Sequence, residues 1–163
     1  MTQRNKAAQL KTMTDISDYR AKVGETFTSD WLKIEQDRVN AFADITNDHN
    51  FIHLDAERTK KETHFPGTIA HGFLSLSLLS HFAAEALPPF PSNTVGVNYG
   101  LNSLRFASPV PVGSRIRAAF KLDSFEERKP GQFLLTFDVK IEIENSSRPA
   151  LRAEWLSMML AQA

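Results

Sequence analysis

The chain has 163 residues, in which 19 lysines and arginines balance 19 aspartates and glutamates, and it contains no cysteine. This length suits one domain, and an apolar fraction of 42% is that of a globular protein. The absence of cysteine excludes disulfides, thiolate metal sites and a cysteine nucleophile. Zero formal charge gives no electrostatic signature for nucleic acid or an anionic membrane, so we expect neither as a partner. Without a secretory signal or a membrane-spanning apolar run, the sequence predicts one cytoplasmic domain over residues 1–163.

The N-terminal segment is polar and basic with little periodicity. It predicts a flexible arm over residues 1–16, within which Met13 is an alternative start. The alternative is a short helix over residues 17–22 that packs on the body. Apolar and polar residues then roughly alternate over residues 27–34, which predicts a strand that includes Trp31.

The next segments predict short helices around a polar loop. Three apolar residues at i, i+3 and i+4 predict an amphipathic helix over residues 35–45. Residues 47–54, rich in Asn, Asp and His, fit neither period and are predicted as a loop. Asp55 is predicted to cap a helix over residues 56–62, and Pro66-Gly67 marks a turn.

The longest apolar segment covers residues 71–87 and ends at Pro88-Pro89. Its apolar residues occupy nearly every face, which is typical of a helix buried on most sides. The period then changes to two, which predicts strands over residues 95–106, 115–123, 133–144 and 151–160. We therefore expect a four-strand antiparallel meander whose one buried face is covered by this helix, an α+β fold.

Polar residues that could carry chemistry concentrate in the predicted loop. Asp48 and His53 lie five residues apart, and His71 follows eighteen residues after His53. A carboxylate and an imidazole at this spacing can converge for general acid–base work on a water. Two alternatives remain. The residues could form an Asx turn with a histidine bonded to the backbone, or Asp48, His49, His53 and His71 could bind a metal, although their spacing matches no metal motif.

The start of the apolar helix is a second candidate. Gly72 in its first turn would let a ligand approach free N–H groups that favour a developing oxyanion, or would simply allow close packing. Ser75, Ser77 and Ser80 are more typical of hydroxyls bonded to helical carbonyls than of nucleophiles, because no Gly-x-Ser-x-Gly elbow surrounds them. Glycine-rich nucleotide motifs are absent from the sequence.

Four stretches of the chain together resemble a known family, the MaoC-like dehydratases, in the branch that includes nodulation protein N and the (R)-specific enoyl-CoA hydratases. They are residues 42–55, 69–73, 98–100 and 105–106. The resemblance runs from about Val23 to the C-terminus. It implies a hotdog fold, in which a long sheet wraps around a central helix, and a homodimer with the active site at the subunit interface.

The family motif D-x-N-x-x-H falls on Asp48, Asn50 and His53. The resemblance implies that Asp48 and His53 activate one water and add it to a trans-2-enoyl-CoA, giving an (R)-3-hydroxyacyl-CoA, while Asn50 holds the loop. It implies no metal and no cofactor, since the substrate itself carries coenzyme A.

Three further residues take supporting roles by the same resemblance. The Gly72 N–H would polarise the thioester carbonyl, with His71 beside it in the motif. Ser80 matches a family serine that helps order the catalytic side chains. Two other functions remain open, an acyl-CoA thioesterase and a non-catalytic module that binds acyl-CoA or acyl-carrier protein.

Two positions depart from the family pattern. Asn47 stands where glycine is common before the Asp, and asparagine tolerates the left-handed conformation that such a turn needs. Phe51 stands where proline is common after the Asn and could line the acyl tunnel. The basic residues that follow, Arg58, Lys60 and Lys61, could meet CoA phosphates, but a solvated charge run is the expected reading.

Overall fold

A computed structural model describes residues 15–162, in which the helices precede the four long strands. The helices are α1 (Ile16–Arg20), α2 (Gln36–Thr46), α3 (Phe51–Leu54), α4 (Ala56–Glu62), α5 (Gly72–Ser77) and α6 (Leu79–Ala86). The strands are β1 (Thr26–Thr28), β2 (Leu32–Lys33), β3 (Thr94–Phe106), β4 (Arg115–Lys129), β5 (Gln132–Ile143) and β6 (Leu151–Ala161). Within residues 15–162, no helix is long and apolar enough to cross a membrane.

The described chain begins with a short packed helix. Asp15 caps α1 by accepting a hydrogen bond from the Ser17 N–H, and Tyr19 is buried and donates its hydroxyl proton to the Pro88 carbonyl. The prediction of a flexible arm is therefore wrong for Asp15 and Ile16, because a cap and a buried tyrosine anchor this turn. Residues 1–14 of that prediction lie outside the described residues.

The strand predicted over residues 27–34 is interrupted. β1 and β2 both pair with β4, but Ser29 to Trp31 between them are not in a strand. The Ser29 hydroxyl accepts a hydrogen bond of 3.0 Å from the Ala118 N–H, the role that a strand carbonyl would otherwise play. Trp31 lies under the Arg117 guanidinium, 4.4 Å from the ring centroid.

The sheet is antiparallel and runs in the order β1-β4-β5-β6-β3, with β2 also on β4. The positions of the four long strands are confirmed, but the predicted meander is correct only for β4, β5 and β6. β3 pairs with β6 rather than with β4, which follows it in sequence. Alternation identifies a strand and its buried face, but it does not identify the neighbouring strand.

The central helix is broken. It was predicted as one helix over residues 71–87, but Leu78 separates α5 from α6 with φ −71° and ψ −8°. At the residue before Leu78, the Ser77 hydroxyl donates a 2.7 Å hydrogen bond to the Phe73 carbonyl, one turn back along the helix. Serine bonded to the carbonyl four residues back is known to bend helices, and this accounts for the break.

The core lies between these helices and the sheet, as predicted. Leu74 of α5, Leu79 and Phe82 of α6, and Leu78 between the two helices belong to the same buried cluster as the alternating residues of β4 and β5. Full burial of each such side chain contributes about 1.5–3 kcal/mol. Phe125 of β4 and Leu134 of β5 are also buried, outside the predicted alternation. The residues that the alternation predicts to be buried are all buried: Ile116, Ala118, Phe120, Leu122, Phe133, Leu135, Phe137, Val139, Ile141 and Ile143.

One apolar surface is left uncovered within the described chain. Phe73, Ser77 and Ser80 form an exposed stripe along the central helix, which is therefore not buried on most sides. β3 lies at the end of the sheet order, and its residues from Val95 to Ser103 are exposed on both faces, so it lacks the predicted buried face. The large exposed hydrophobic residues of this surface, which no part of residues 15–162 covers, are Phe73 on the helix and Val95, Val97, Tyr99 and Leu101 on β3.

Candidate active site

The predicted loop is shorter than expected and leads into a helix. α2 ends at Thr46 and is followed by its C-cap Asn47, whose φ of 57° is the left-handed conformation that asparagine tolerates. The Asp48 carboxylate accepts a 3.4 Å hydrogen bond from the Asn50 N–H, and Asn50 in turn caps α3 by accepting from the Ile52 N–H at 3.3 Å. Residues 51–54 are therefore helical, against prediction, because a one-turn helix is too short to show a period.

His53 is held in one orientation by a backbone carbonyl. The side chain is 7% exposed, and its Nδ1 lies 2.7 Å from the Ile69 carbonyl oxygen. Since a carbonyl only accepts, Nδ1 carries the proton, and Nε2 of the neutral ring is left with a free lone pair. Burial is the main cause that lowers the pKa of His53 below 6.5, and His71 lowers it further, against the opposing effects of the Ile69 carbonyl and Asp48. A neutral imidazole at neutral pH is suited to act as a base.

His71 is stacked on His53 and holds the backbone of Asp48. The two rings lie 3.7 Å apart between centroids at 28°. His71 is 3% exposed, and its Nε2 donates to the Asp48 carbonyl at 3.0 Å. Its Nδ1 is buried without a hydrogen-bond partner among residues 15–162. His71 thus places the Asp48 residue directly beside the His53 ring.

The carboxylate and the two rings converge. One oxygen of Asp48 and one nitrogen each of His53 and His71 lie within 4.8 Å of one another. The Asp48 side chain is 56% exposed, so this group can exchange water with solvent. Two acceptors at this separation can share one bridging water, because a hydrogen bond to water spans about 2.8 Å.

A metal ion fits this cluster less well than water does. Each histidine already uses one ring nitrogen as a donor to a carbonyl. The remaining lone pairs, on His53 Nε2 and His71 Nδ1, lie in the planes of two nearly parallel stacked rings. Lone pairs in stacked planes do not converge on one ion about 2 Å from each nitrogen, as a metal requires.

His53 and Gly72 line one cavity of about 320 Å³. Gly72 is the first residue of α5, so its N–H has no acceptor within the helix. A Cβ at this position would meet the Phe106 ring at 3.1 Å. The absence of a side chain at Gly72 therefore allows the Phe106 ring to pack closely against the start of α5.

Comparison with known proteins decides the family. A family model described as "MaoC like domain" matches residues 18–137. The chain belongs to the MaoC-like dehydratase family. It is 43% identical over 145 residues to nodulation protein N of Rhizobium leguminosarum bv. viciae, covering 88% of this chain and 90% of that protein. It is 41% identical over 146 residues to 3-hydroxyacyl-thioester dehydratase Z of Mycobacterium tuberculosis, covering 89% and 95%.

A solved structure supports the same assignment. The (R)-hydratase from A. caviae involved in PHA biosynthesis aligns with a TM-score of 0.68 and 28% identity over 83% of this chain and 94% of that chain. The expected hotdog fold is thereby confirmed, and the chain is a member of a family of hydratases and dehydratases. This MaoC-like domain carries the residues Asp48, Asn50 and His53 at the family motif.

Ser80 lies apart from the other site residues of the MaoC-like domain. It is exposed on α6 and accepts a 3.4 Å hydrogen bond from the Asn98 side-chain amide. It lines a separate cavity of about 360 Å³, with Trp155 of β6 on the same wall, and it does not line the cavity of His53 and Gly72. Its predicted role in ordering the catalytic side chains stays a prediction.

The charged residues of α4 pair with one another. Arg58 stacks on the Phe51 ring at 4.1 Å and pairs with Glu62 at 3.1 Å, and Lys60 pairs with Glu57 at 2.9 Å. Both basic side chains are about half exposed and paired with carboxylates of the same helix. Phe51, which stands where the family commonly has proline, packs beneath the Arg58 guanidinium in a contact at the surface.

Two residues that support the backbone of His53 were not predicted from the sequence. The Gln36 side-chain amide donates to the His53 carbonyl at 2.8 Å, and the Thr68 hydroxyl donates to Gln36 at 2.7 Å. They lie 17 and 32 residues from their partners, so no local spacing signals them.

Proposed function

We propose that the chain hydrates trans-2-enoyl-CoA thioesters to (R)-3-hydroxyacyl-CoA, and catalyses the reverse dehydration. The observation that carries the proposal is the placement of His53: its Nδ1 donates to the Ile69 carbonyl, which leaves Nε2 with a free lone pair, and one ring nitrogen lies within 4.8 Å of an Asp48 carboxylate oxygen. The relatives named as a hydroxyacyl-thioester dehydratase and an (R)-hydratase support this reaction class.

The pair acts on one water. Asp48 and His53 accept hydrogen bonds from it, and its oxygen bonds to C3 of the enoyl group as it loses a proton to the pair. A proton then passes from the pair to C2, so that the groups end as they began. Asn50 holds the loop through its cap of α3. No cofactor takes part in the proposed reaction, because the thioester itself stabilises the charge that develops at C2.

Gly72 supplies the second part of the mechanism. As C3 is attacked, negative charge moves to the thioester oxygen, and the Gly72 N–H, the first of α5, would polarise that oxygen. This role is supported by Gly72 lining the same cavity as His53. His71 supports the site by holding the Asp48 carbonyl.

Replacing Gly72 by alanine tests this placement. We expect Gly72→Ala to lower kcat/KM for crotonyl-CoA by about tenfold, because the new methyl group displaces the Phe106 ring into the cavity of His53. Gly67→Ala is the matched control, since a Cβ there meets nothing within 4 Å. Adding Phe106→Leu to Gly72→Ala should restore part of the loss. Equal kcat/KM for Gly72→Ala and the wild type would show that this wall does not contact substrate.

We propose that a second copy of the chain covers the exposed apolar surface. β3 is a long strand at the edge of the sheet, and paired edges in a homodimer would extend the sheet. Sedimentation should therefore give twice the 18.3 kDa mass of one chain. Val97→Glu on β3 should weaken this dimer. Val23→Glu, before β1 at the opposite side of the sheet, should leave it intact, and a single-chain mass for the wild type would contradict the assignment.

The ultraviolet absorbance of crotonyl-CoA tests the reaction class. We expect purified protein to remove the enoyl absorbance while a thiol reagent in a parallel cuvette detects no free CoA. Thiol release would indicate a thioesterase instead. No change with crotonyl-CoA or with longer enoyl chains would indicate a module that binds acyl thioesters without catalysis.

A further inference from the structure

The backbone carbonyl of His53 has an unusual partner. α3 has four residues, too few for its own N–H groups to act as donors to its last carbonyls. The Gln36 side-chain amide, at the first turn of α2, donates to the His53 carbonyl at 2.8 Å. A side chain from a different helix thus satisfies the backbone of the residue that carries the proposed base.

The amide of Gln36 is fixed at all its polar positions. Its second N–H faces the Asn40 side-chain oxygen at 2.9 Å, and its oxygen accepts from the Thr68 hydroxyl at 2.7 Å. Turning the amide over would set its oxygen against the His53 carbonyl oxygen, so only one orientation satisfies both neighbours. Thr68 is 7% exposed, and loss of its hydrogen-bond partner would leave a buried hydroxyl unsatisfied, which is unfavourable.

Thr68 belongs to the segment that orients the His53 ring. The next residue, Ile69, accepts from His53 Nδ1, and its N–H donates to the Ile52 carbonyl at 3.0 Å. Two more backbone hydrogen bonds anchor this segment. The Val112 N–H donates to the Thr68 carbonyl at 3.0 Å, and the Ala70 N–H donates to the Val110 carbonyl at 2.8 Å. The contacts close a ring that runs from the His53 imidazole through Ile69, Thr68 and Gln36 to the His53 carbonyl.

We propose that Gln36 and Thr68 are positioning residues that keep His53 in the tautomer with Nδ1 protonated and Nε2 free. Together they fix the distance between the backbone of His53 and the Ile69 carbonyl, the distance on which the Nδ1 hydrogen bond depends. If this distance relaxes, the imidazole can turn and protonate at Nε2, which then cannot accept a proton from water. The catalytic consequence rests on the proposed hydratase function, whereas the effect on the tautomer does not.

The first variant removes the amide while keeping the length of the side chain. Gln36→Met should lower kcat for crotonyl-CoA hydration by about 10- to 100-fold with KM within about twofold, the expected effect of a misplaced reacting group. Nitrogen-15 NMR of the imidazole should show a mixture of tautomers at His53 where the wild type shows Nδ1–H alone. Asn40→Ala is the matched control, because it removes an acceptor of the same amide without touching His53, and it should match the wild type in both measurements.

A pair of variants at Thr68 serves if Gln36→Met fails to fold. Thr68→Val should reproduce both effects, and Thr68→Ser, which retains the hydroxyl, should restore both. In Gln36→Met combined with Thr68→Val, the losses should not add, because both act through one network.

Two outcomes would overturn the inference. One is wild-type tautomer populations in Gln36→Met and Thr68→Val, whatever their activity. The other is equal loss in Thr68→Ser and Thr68→Val, which would indicate packing rather than hydrogen bonding. If the wild type proves inactive on enoyl thioesters, the hydratase proposal fails while the NMR measurement still decides whether Gln36 and Thr68 hold the ring.

Discussion

Replacing His53 by alanine should reduce the rate of crotonyl-CoA hydration by more than about 100-fold, which is the usual contribution of a placed base. His53 offers a free Nε2 because its Nδ1–H is bonded to the Ile69 carbonyl at 2.7 Å. Alanine removes both nitrogens, and no other imidazole nitrogen of the cluster takes the place of His53 Nε2 as the base. The measurement is steady-state loss of enoyl absorbance, with circular dichroism to show that the variant folds.

The matched control is His49→Ala. His49 lies on the same segment, but it is half exposed and pairs with Asp44 at 2.9 Å rather than with the cluster. We expect it to retain wild-type turnover. Near-full activity of His53→Ala would exclude His53 as the base.

The pH profile gives a second measurement of His53. Burial lowers the pKa of His53 below 6.5, and the base acts in its neutral form. The wild-type kcat/KM should therefore be constant near neutral pH and fall only as the pH drops through this lowered pKa, with a midpoint below 6.5. A midpoint above 6.5 would contradict a buried neutral base.

Replacing Asp48 by asparagine should also cut turnover by more than about 100-fold. The substitution keeps an oxygen that can accept from the Asn50 N–H, so the turn before α3 persists, but it removes the charge that orients the water. The experiment compares kcat of Asp48→Asn with that of Asp44→Asn. Asp44 is exposed and bonds only His49 in the described contacts, so its variant should keep wild-type kcat. Similar kcat values for the two variants would remove Asp48 from the mechanism.

Much of the fold follows from local pattern. Every residue that alternation in β4 and β5 predicts to be buried is buried, although Phe125 and Leu134 are buried outside that pattern. Asp55 caps α4 through the Arg58 N–H at 2.9 Å, as the sequence indicates. The pairing of β3 with β6 could not be read in the same way, because alternation carries no information about the neighbouring strand. The break at Leu78 depends on one serine hydroxyl bonded to a carbonyl, and Ser77 has other staggered rotamers available.

The site was predictable to the extent that it is local. Asp48 and His53 lie in one short segment, and the structure brings them together with His71 within 4.8 Å. The stacking of His71 on His53 and the hydrogen bonds of Gln36 and Thr68 depend on tertiary contacts between separate segments. Ser80 is a different case. It was selected by its spacing from the motif, and in the described chain it lines a different cavity from that of His53 and Gly72.

The most direct measurement follows the absorbance of crotonyl-CoA with the wild type and with His53→Ala side by side, while a thiol reagent monitors free CoA. We expect the wild type to remove the enoyl absorbance without releasing thiol, and His53→Ala to do so more than about 100-fold more slowly. Equal rates for the two proteins, or thiol release that accounts for the lost absorbance, would contradict a hydratase that uses His53 as its base.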